Sequence, residues 1–338
     1  MKNKFLNLPE KTRINAFNHV AEKKGITPFA VEKDWWVTQS LSIIFEMDEA
    51  KYLVFKGGTS LSKSWNLIQR FSEDIDLAID REFLGFTEIT KRKTYLRKKS
   101  GKFVSEEFYP KLQKCFEEKG IAEGVTFTLE DVQSSDQDPR IINIYYPSII
   151  ETKGYLNPRV QIEIGCRSLK EPFSDCLISS FVDQEYKDLE FASDEFRVPS
   201  VNPERTFLEK IFLLHEEFQK PYDKIRVNRL SRHLYDIYSL YHSEFKDKAL
   251  RDEDLYKTIV HHRIEFTKVT GVDYLLHNPQ TINPIPPDTI IKKWEEDYET
   301  MKSEMLYSEH RPNFSEIIKT LEKLKSEINK LEWVVFEG

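Results

Sequence analysis

The sequence predicts an α/β protein in two parts, with helices and a mixed sheet over residues 1–200 and a helical domain over 201–338. Three observations carry this reading. Apolar or alternating runs of strand length recur between residues 51 and 164, amphipathic patterns of helical period flank them, and beyond Val201 only the helical pattern persists. A chain of 338 residues, 39% hydrophobic and 13% aromatic, supplies two cores, and the two parts are expected to form a cleft.

Pro9 opens a helical pattern that runs to about Lys24. Thr27-Pro28 then supplies a cap and a first-turn proline for a second helix. Val31, Trp35, Leu41 and Ile44 make its apolar stripe, and the helix pair is expected to pack on the sheet. The charges of Glu32-Lys33-Asp34 read as capping or solvated groups at a helix start. Residues 51–55 (KYLVF) read as a buried strand that stops at the Gly57-Gly58 turn. Thr59 reads as an N-cap, and Leu61, Trp65 and Ile68 at helical spacing predict a helix over 60–69. Ile75, Leu77 and Ile79 then alternate with Asp74, Asp76 and Asp80, which is a strand with its carboxylates on one face.

Residues 91–102 (KRKTYLRKKSGK) are a dense basic run with one tyrosine. It reads as a solvated loop or helix face, or as an electrostatic site for an RNA backbone or a nucleotide's phosphates. A helix follows over 103–119, kinked at Pro110 and ended by Gly120. Strands are predicted over 124–129, 141–146 and 159–164 as an antiparallel or mixed meander. On the last of these, Gln161 and Glu163 share one face, flanked by Arg159 and Arg167. Asn202-Pro203-Glu204 opens a helix with Phe207, Ile211, Leu214 and Phe218 buried, and 226–241 is a second, where Asp236 is placed to pair with Arg232. Three further helical patterns cover 250–266, 287–303 and 313–332, and His261, His262 and Glu265 on the first read as surface groups.

A net charge of −7 excludes a globally basic nucleic-acid binder, so any RNA surface has to be local. Cys115, Cys166 and Cys176 fit neither a disulfide framework nor a zinc pattern and suit a reducing cytoplasm. With no signal-like apolar core near the N-terminus and no apolar run of about 18 residues, neither export nor a membrane span is expected.

The stretch from Lys56 to Asp80 carries the chemistry. A glycine turn feeding a helix start leaves backbone N–H groups for a phosphate. Carboxylates two apart on a strand lie roughly 6.6 Å apart at the backbone and converge on one cation, or on two about 3.5–4 Å apart. Hard oxygen ligands suit Mg2+ or Mn2+ carrying an NTP. An isolated D-x-D is more often a solvated strand face; the upstream glycine turn is what favours the metal and phosphate.

Phe55-Lys56-Gly57-Gly58-Thr59-Ser60-Leu61 followed by Arg70-Phe71-Ser72-Glu73-Asp74-Ile75-Asp76-Leu77 resembles the signature of the AbiEii/AbiGii-type toxin nucleotidyltransferases, a polymerase-beta-like family. Arg205-Thr206-Phe207-Leu208-Glu209-Lys210 and Arg232-His233-Leu234-Tyr235-Asp236-Ile237-Tyr238 resemble its downstream lysine and aspartate motifs. The resemblance implies a polymerase-beta-like domain followed by a helical bundle, with Asp74 and Asp76 as metal ligands and Glu163 as the third carboxylate. It implies that Gly58, Thr59 and Lys210 serve the nucleotide phosphates while Asp236 completes the site; Gly57, Ser60, Lys63, Arg70 and Ser72 are expected to bind the nucleotide with them. It further implies a toxin of a toxin–antitoxin or phage-defence pair that modifies tRNA and has a cognate antitoxin. Protein nucleotidylation and an inactive nucleotide-binding module remain alternatives, and the resemblance covers mainly residues 30–240.

Overall fold

Among the described residues seven strands form one mixed sheet in the first of two compact units, Met1–Asn66 with Phe71–Val201; the second unit is Leu67–Arg70 with Asn202–Gly338. The computed structural model describes residues 3–72, 74–85, 93–134, 137–151, 158–166 and 172–336. Arg167, Glu73 and the first two residues of the basic run lie outside these.

In the first unit α1 (Glu10–Lys24) packs on α2 (Pro28–Glu46), and it is α2 that meets the sheet. Thr27 caps α2 by accepting the Ala30 N–H, with Pro28 in the first turn as the sequence indicates. The expectation for Glu32-Lys33-Asp34 is corrected, because all three are buried. Glu32 accepts the Ile149 N–H and the Ser148 hydroxyl, and Asp34 accepts the Phe181 N–H. A buried carboxylate has to be hydrogen-bonded or paired, and these are.

Strand β1 (Leu53–Lys56) leads directly into α3 (Gly57–Lys63), and β2 (Asp74–Ile79) returns antiparallel to β1. The predicted helix over 60–69 is therefore shorter and begins earlier: Ile68 and Gln69 belong to the second unit, and Thr59 is inside the helix rather than its cap. The basic run forms α4 (Lys93–Phe103), followed by a π-helical turn (Val104–Phe108) and α5 (Tyr109–Glu118). The regular α-helix is thus interrupted by this π-helical turn just upstream of Pro110, which sits in the first turn of α5. Strands β3 (Thr126–Leu129), β4 (Arg140–Tyr145) and β5 (Arg159–Gly165) form the expected antiparallel meander, and β5 runs parallel to β2. After α6 (Phe181–Glu185), β7 (Phe196–Val201) joins β1 and carries the edge strand β6 (Phe173–Ile178). Both strands escape the sequence pattern: Pro199 interrupts β7, and Ser174 and Asp175 fit an exposed edge.

The second unit is helical: α7 (Pro203–Phe218), α8 (Ser231–Tyr241), α9 (Phe245–Ala249), α10 (Glu253–His262), α11 (Ile291–Met305) and α12 (Phe314–Ile328). Phe207, Ile211 and Leu214 are fully buried, as the stripe predicts. His262, expected at the surface, is buried and stacks on Phe266; His261 is exposed. Deeper in the unit His215 Nδ1 accepts the Asn283 N–H at 3.1 Å, beside the His277 ring and the Glu216–Arg263 ion pair.

Burial and the neighbouring His277 hold the His215 pKa down to about 4. The folded state therefore refuses a proton that the unfolded chain accepts near its ordinary value of about 6.5. Stability is full above pH 6.5 and falls as pH drops towards 4, by up to about 3 kcal/mol for this group. Denaturant titrations across that window are expected to show this slope, and His215→Gln is expected to remove its share.

Candidate active site

Five neighbouring strand positions define the chemistry of the first unit. Lys56 on β1 lies opposite Asp76 on β2, and Asp76 lies opposite Glu163 on β5; two pairs earlier, Asp74 faces Gln161. The period of two puts Asp74 with Asp76, and Gln161 with Glu163, on one face, while Ile75, Leu77, Ile162 and Ile164 are buried on the other. Lys56, Asp76 and Glu163 line one cavity of about 110 Å³, together with Asp138 and Pro139.

Gly57 ties the turn to this face. Its φ is +78°, and a Cβ there would overlap the Asp76 carboxylate at Oδ2, so the carboxylate occupies the space that a side chain would fill. The glycine turn and Asp76 are consequently on the same side of the sheet. Gly165 does the same at the other end, where an added Cβ would come within 3.2 Å of Pro139 and 3.3 Å of Asp138 Oδ2.

Polar contacts then hold the face in place. The Thr59 hydroxyl donates to the Asp74 carbonyl at 2.5 Å and stands 3.0 Å from the Ser72 hydroxyl, which pins α3 to the start of β2. Arg159 donates to Gln161, and Gln161 donates to Glu163 Oε1 at 2.9 Å, which orients that carboxylate. Asp138 Oδ1 accepts the Cys166 N–H at 3.1 Å. Asp138 and Lys56 are the cavity residues that motif reading did not assign. Lys56 is signalled only by its place directly before the glycine pair, and Asp138 by an Asp-Pro step before a strand.

Several expected phosphate ligands are otherwise engaged. The Lys63 side chain is 5% exposed and donates to Asp34 at 2.5 Å. Ser60 is buried, and its hydroxyl has no hydrogen-bond partner among the described residues. Arg70 belongs to the second unit, where it grips Asp236 with both arms of its fork at 2.7 and 2.8 Å. Lys210 donates to the same Asp236 at 2.8 Å and lies 3.3 Å from His233 Nδ1. The partners of Asp236 are therefore Arg70 and Lys210, in place of Arg232.

Electrostatics in that cluster follow from burial. Desolvation opposes the Asp236 anion, but Arg70 and Lys210 reverse this and hold its pKa well below the carboxylate range. Burial likewise opposes the Arg70 cation, and Asp236 more than restores it. Burial lowers the Lys210 pKa despite Asp236, with Arg70 adding repulsion. Burial and the nearby Lys210 ammonium keep His233 neutral, far below its usual value.

Two carboxylates in neighbouring register fit a small hard cation. Among the described residues no three His, Cys, Asp or Glu side chains converge as a complete metal cage. Mg2+ is commonly held by one or two carboxylates plus substrate phosphates and water, so the donor set suits a cation that arrives with a nucleotide.

A family model described as "Nucleotidyl transferase AbiEii toxin, Type IV TA system" matches residues 41–320. The chain belongs to the AbiEii nucleotidyltransferase toxin family. It is thus a nucleotidyltransferase toxin of the type IV toxin–antitoxin class, a class that implies an NTP substrate and an antitoxin partner. No curated protein matches the chain. Among solved structures, the nucleotidyltransferase toxin MenT4 (Rv2826c) of Mycobacterium tuberculosis H37Rv is similar in fold, with a TM-score of 0.55 at 14% identity, over 96% of this chain and 91% of that one. JHP933 of Helicobacter pylori aligns at a TM-score of 0.46 and 13% identity, over 90% of this chain and 94% of that one. A putative nucleotidyltransferase from H. pylori gives 0.44 and 12%, over 88% and 93%. Among the described residues no helix is long and apolar enough to cross a membrane.

Two substitutions probe this geometry. Gly57→Ala is expected to displace Asp76 and cost about 1 kcal/mol or more in stability through its positive φ, while reducing nucleotide transfer far more than that loss accounts for. Asp236→Ala leaves two buried cations facing each other and is expected to lower the unfolding free energy by about 3–5 kcal/mol, measured by urea titration.

Proposed function

We propose that this AbiEii-family chain transfers a nucleoside monophosphate from an NTP to the end of an RNA, with tRNA as the acceptor, and releases pyrophosphate. The observation that carries the proposal is the shared cavity of Lys56, Asp76 and Glu163 beside the Gly57 turn. Backbone N–H groups of the first turn of α3 offer donors for phosphate oxygens, since a helix start has no internal acceptors for them. Lys56 adds a positive charge to the same face.

Asp74, Asp76 and Glu163 would hold Mg2+ or Mn2+, which lowers the pKa of the attacking hydroxyl and neutralises the departing pyrophosphate. The hydroxyl oxygen bonds to the α-phosphorus, the bond from that phosphorus to the β-phosphate oxygen breaks, and the hydroxyl proton leaves to a base. A carboxylate clamped by two cations is a weak proton acceptor, which makes Asp236 unsuited to that task. The remaining residues contribute by position: Thr59 holds β2 against α3, and Gln161 orients Glu163. Modification of tRNA would arrest translation, and with it growth during phage infection, until the antitoxin relieves it.

Incubation with labelled NTPs and a cell lysate tests this reading. Label is expected in material destroyed by RNase and resistant to protease; label that behaves in the opposite way would make a protein the acceptor. Asp74→Asn and Asp76→Asn are each expected to lower transfer by at least about 100-fold with the fold intact.

A further inference from the structure

The basic run at residues 93–102 is not used by the chemistry described so far, and it is neither a loose tail nor isolated from the cavity. It forms α4, whose Leu96, Ser100 and Phe103 are buried. Tyr95, Lys98, Lys99 and Lys102 are exposed. Their spacing of three, one and three residues confines them to an arc of about 100° at 3.6 residues per turn, so one face carries three ammonium groups and one aromatic ring. Lys99 lies 5.5 Å from the centre of the Tyr95 ring, and Lys102 stands 3.6 Å from Glu106 in an exposed pair that contributes little.

The buried side of the same helix is fastened to the cavity wall. The Ser100 hydroxyl donates to Asp138 Oδ1 at 3.4 Å, and an added Cβ on Gly101 would come within 3.5 Å of Arg140, the first residue of β4. Asp138 lines the cavity that holds Asp76 and Glu163. The exposed lysines are therefore carried by a helix that is hydrogen-bonded to a residue lining the reactive cavity.

We propose that this face of α4 is the docking surface for the RNA acceptor, with the three lysines on backbone phosphates and Tyr95 stacked on an unpaired base. The proposal rests on the RNA-transfer reading above and adds where the RNA is held. Charge complementarity selects the occupant: in a chain of net charge −7 the overall field repels RNA, so binding needs a dense local patch. A ring among lysines is also the arrangement that single-stranded RNA uses, through stacking plus phosphate contacts.

The test is binding of a fluorescently labelled tRNA transcript by the full chain, followed by anisotropy across a salt series. With Lys98, Lys99 and Lys102 all changed to Glu, affinity is expected to fall by at least about tenfold, and the slope of log affinity against log salt to become shallower by about 2, from roughly 0.7 per lysine. Tyr95→Ala is expected to weaken binding by about tenfold without changing the slope. A variant with Lys319, Lys323 and Lys330 changed to Glu has the same net charge and is expected to bind as wild type. Binding of a fluorescent NTP and the melting temperature report on the cavity and the fold, and both are expected to hold in the lysine variants. The triple change to Gln provides a gentler version with the same expected direction.

If wild type labels tRNA but the Lys98, Lys99 and Lys102 variants bind it with unchanged affinity and slope, the docking surface is overturned while the transfer reading stands. An equal loss in the Lys319, Lys323 and Lys330 variant overturns it too, because net charge would then be the cause. If wild type neither binds nor labels tRNA and labels protein instead, the acceptor reading fails and the docking surface with it.

Discussion

Asp76 stands where a residue-57 side chain would be, and this close approach governs the first unit's chemistry. A backbone with φ of +78° admits the carboxylate only because glycine has no Cβ, so the close approach of the turn and the acid depends on that glycine. The strand register extends the arrangement across the sheet, with Lys56, Asp76 and Glu163 on three adjacent strands. Central strands are poorly deformable, so the spacing of these charges is set before any ligand arrives, which is what catalysis by positioning requires.

The second unit solves a different electrostatic problem. Arg70, Lys210 and Asp236 bring two cations and one anion out of water, with His233 kept neutral beside them. Burial lowers the Lys210 pKa even beside Asp236, and repulsion from Arg70 adds to the effect. The link also joins distant parts of the chain, since the hydrogen-bonded residues Arg70 and Asp236 are 166 positions apart.

Local features were legible in the sequence and long-range ones were not. Alternation put Asp74 with Asp76 over 74–79, and Gln161 with Glu163 over 159–164, on one face of their own strand, because side-chain direction in a strand depends only on parity. The caps at Thr27 and the stripe of α7 were equally local. The end of α3 was misjudged because Leu67–Arg70 joins the second unit, where Arg70 makes an isolated bridge with Leu306. The engagement of Lys63 by Asp34 and of Arg70 by Asp236 depended on tertiary placement that no motif encodes. Lys56 and Asp138 were overlooked for the same reason: the cavity is assembled from β1, β2, β5 and the segment before β4, and only the register shows that they converge.

The account turns on one cation-and-phosphate site at the Gly57–Asp76 approach. A crystal structure with Mn2+ and a non-hydrolysable NTP analogue, read by the manganese anomalous signal, tests it most directly. The account predicts manganese between Asp76 and Glu163, bridged to phosphate oxygens that also meet the N–H groups of the first turn of α3. Manganese and triphosphate bound together elsewhere, with Asp74, Asp76 and Glu163 untouched, would contradict it.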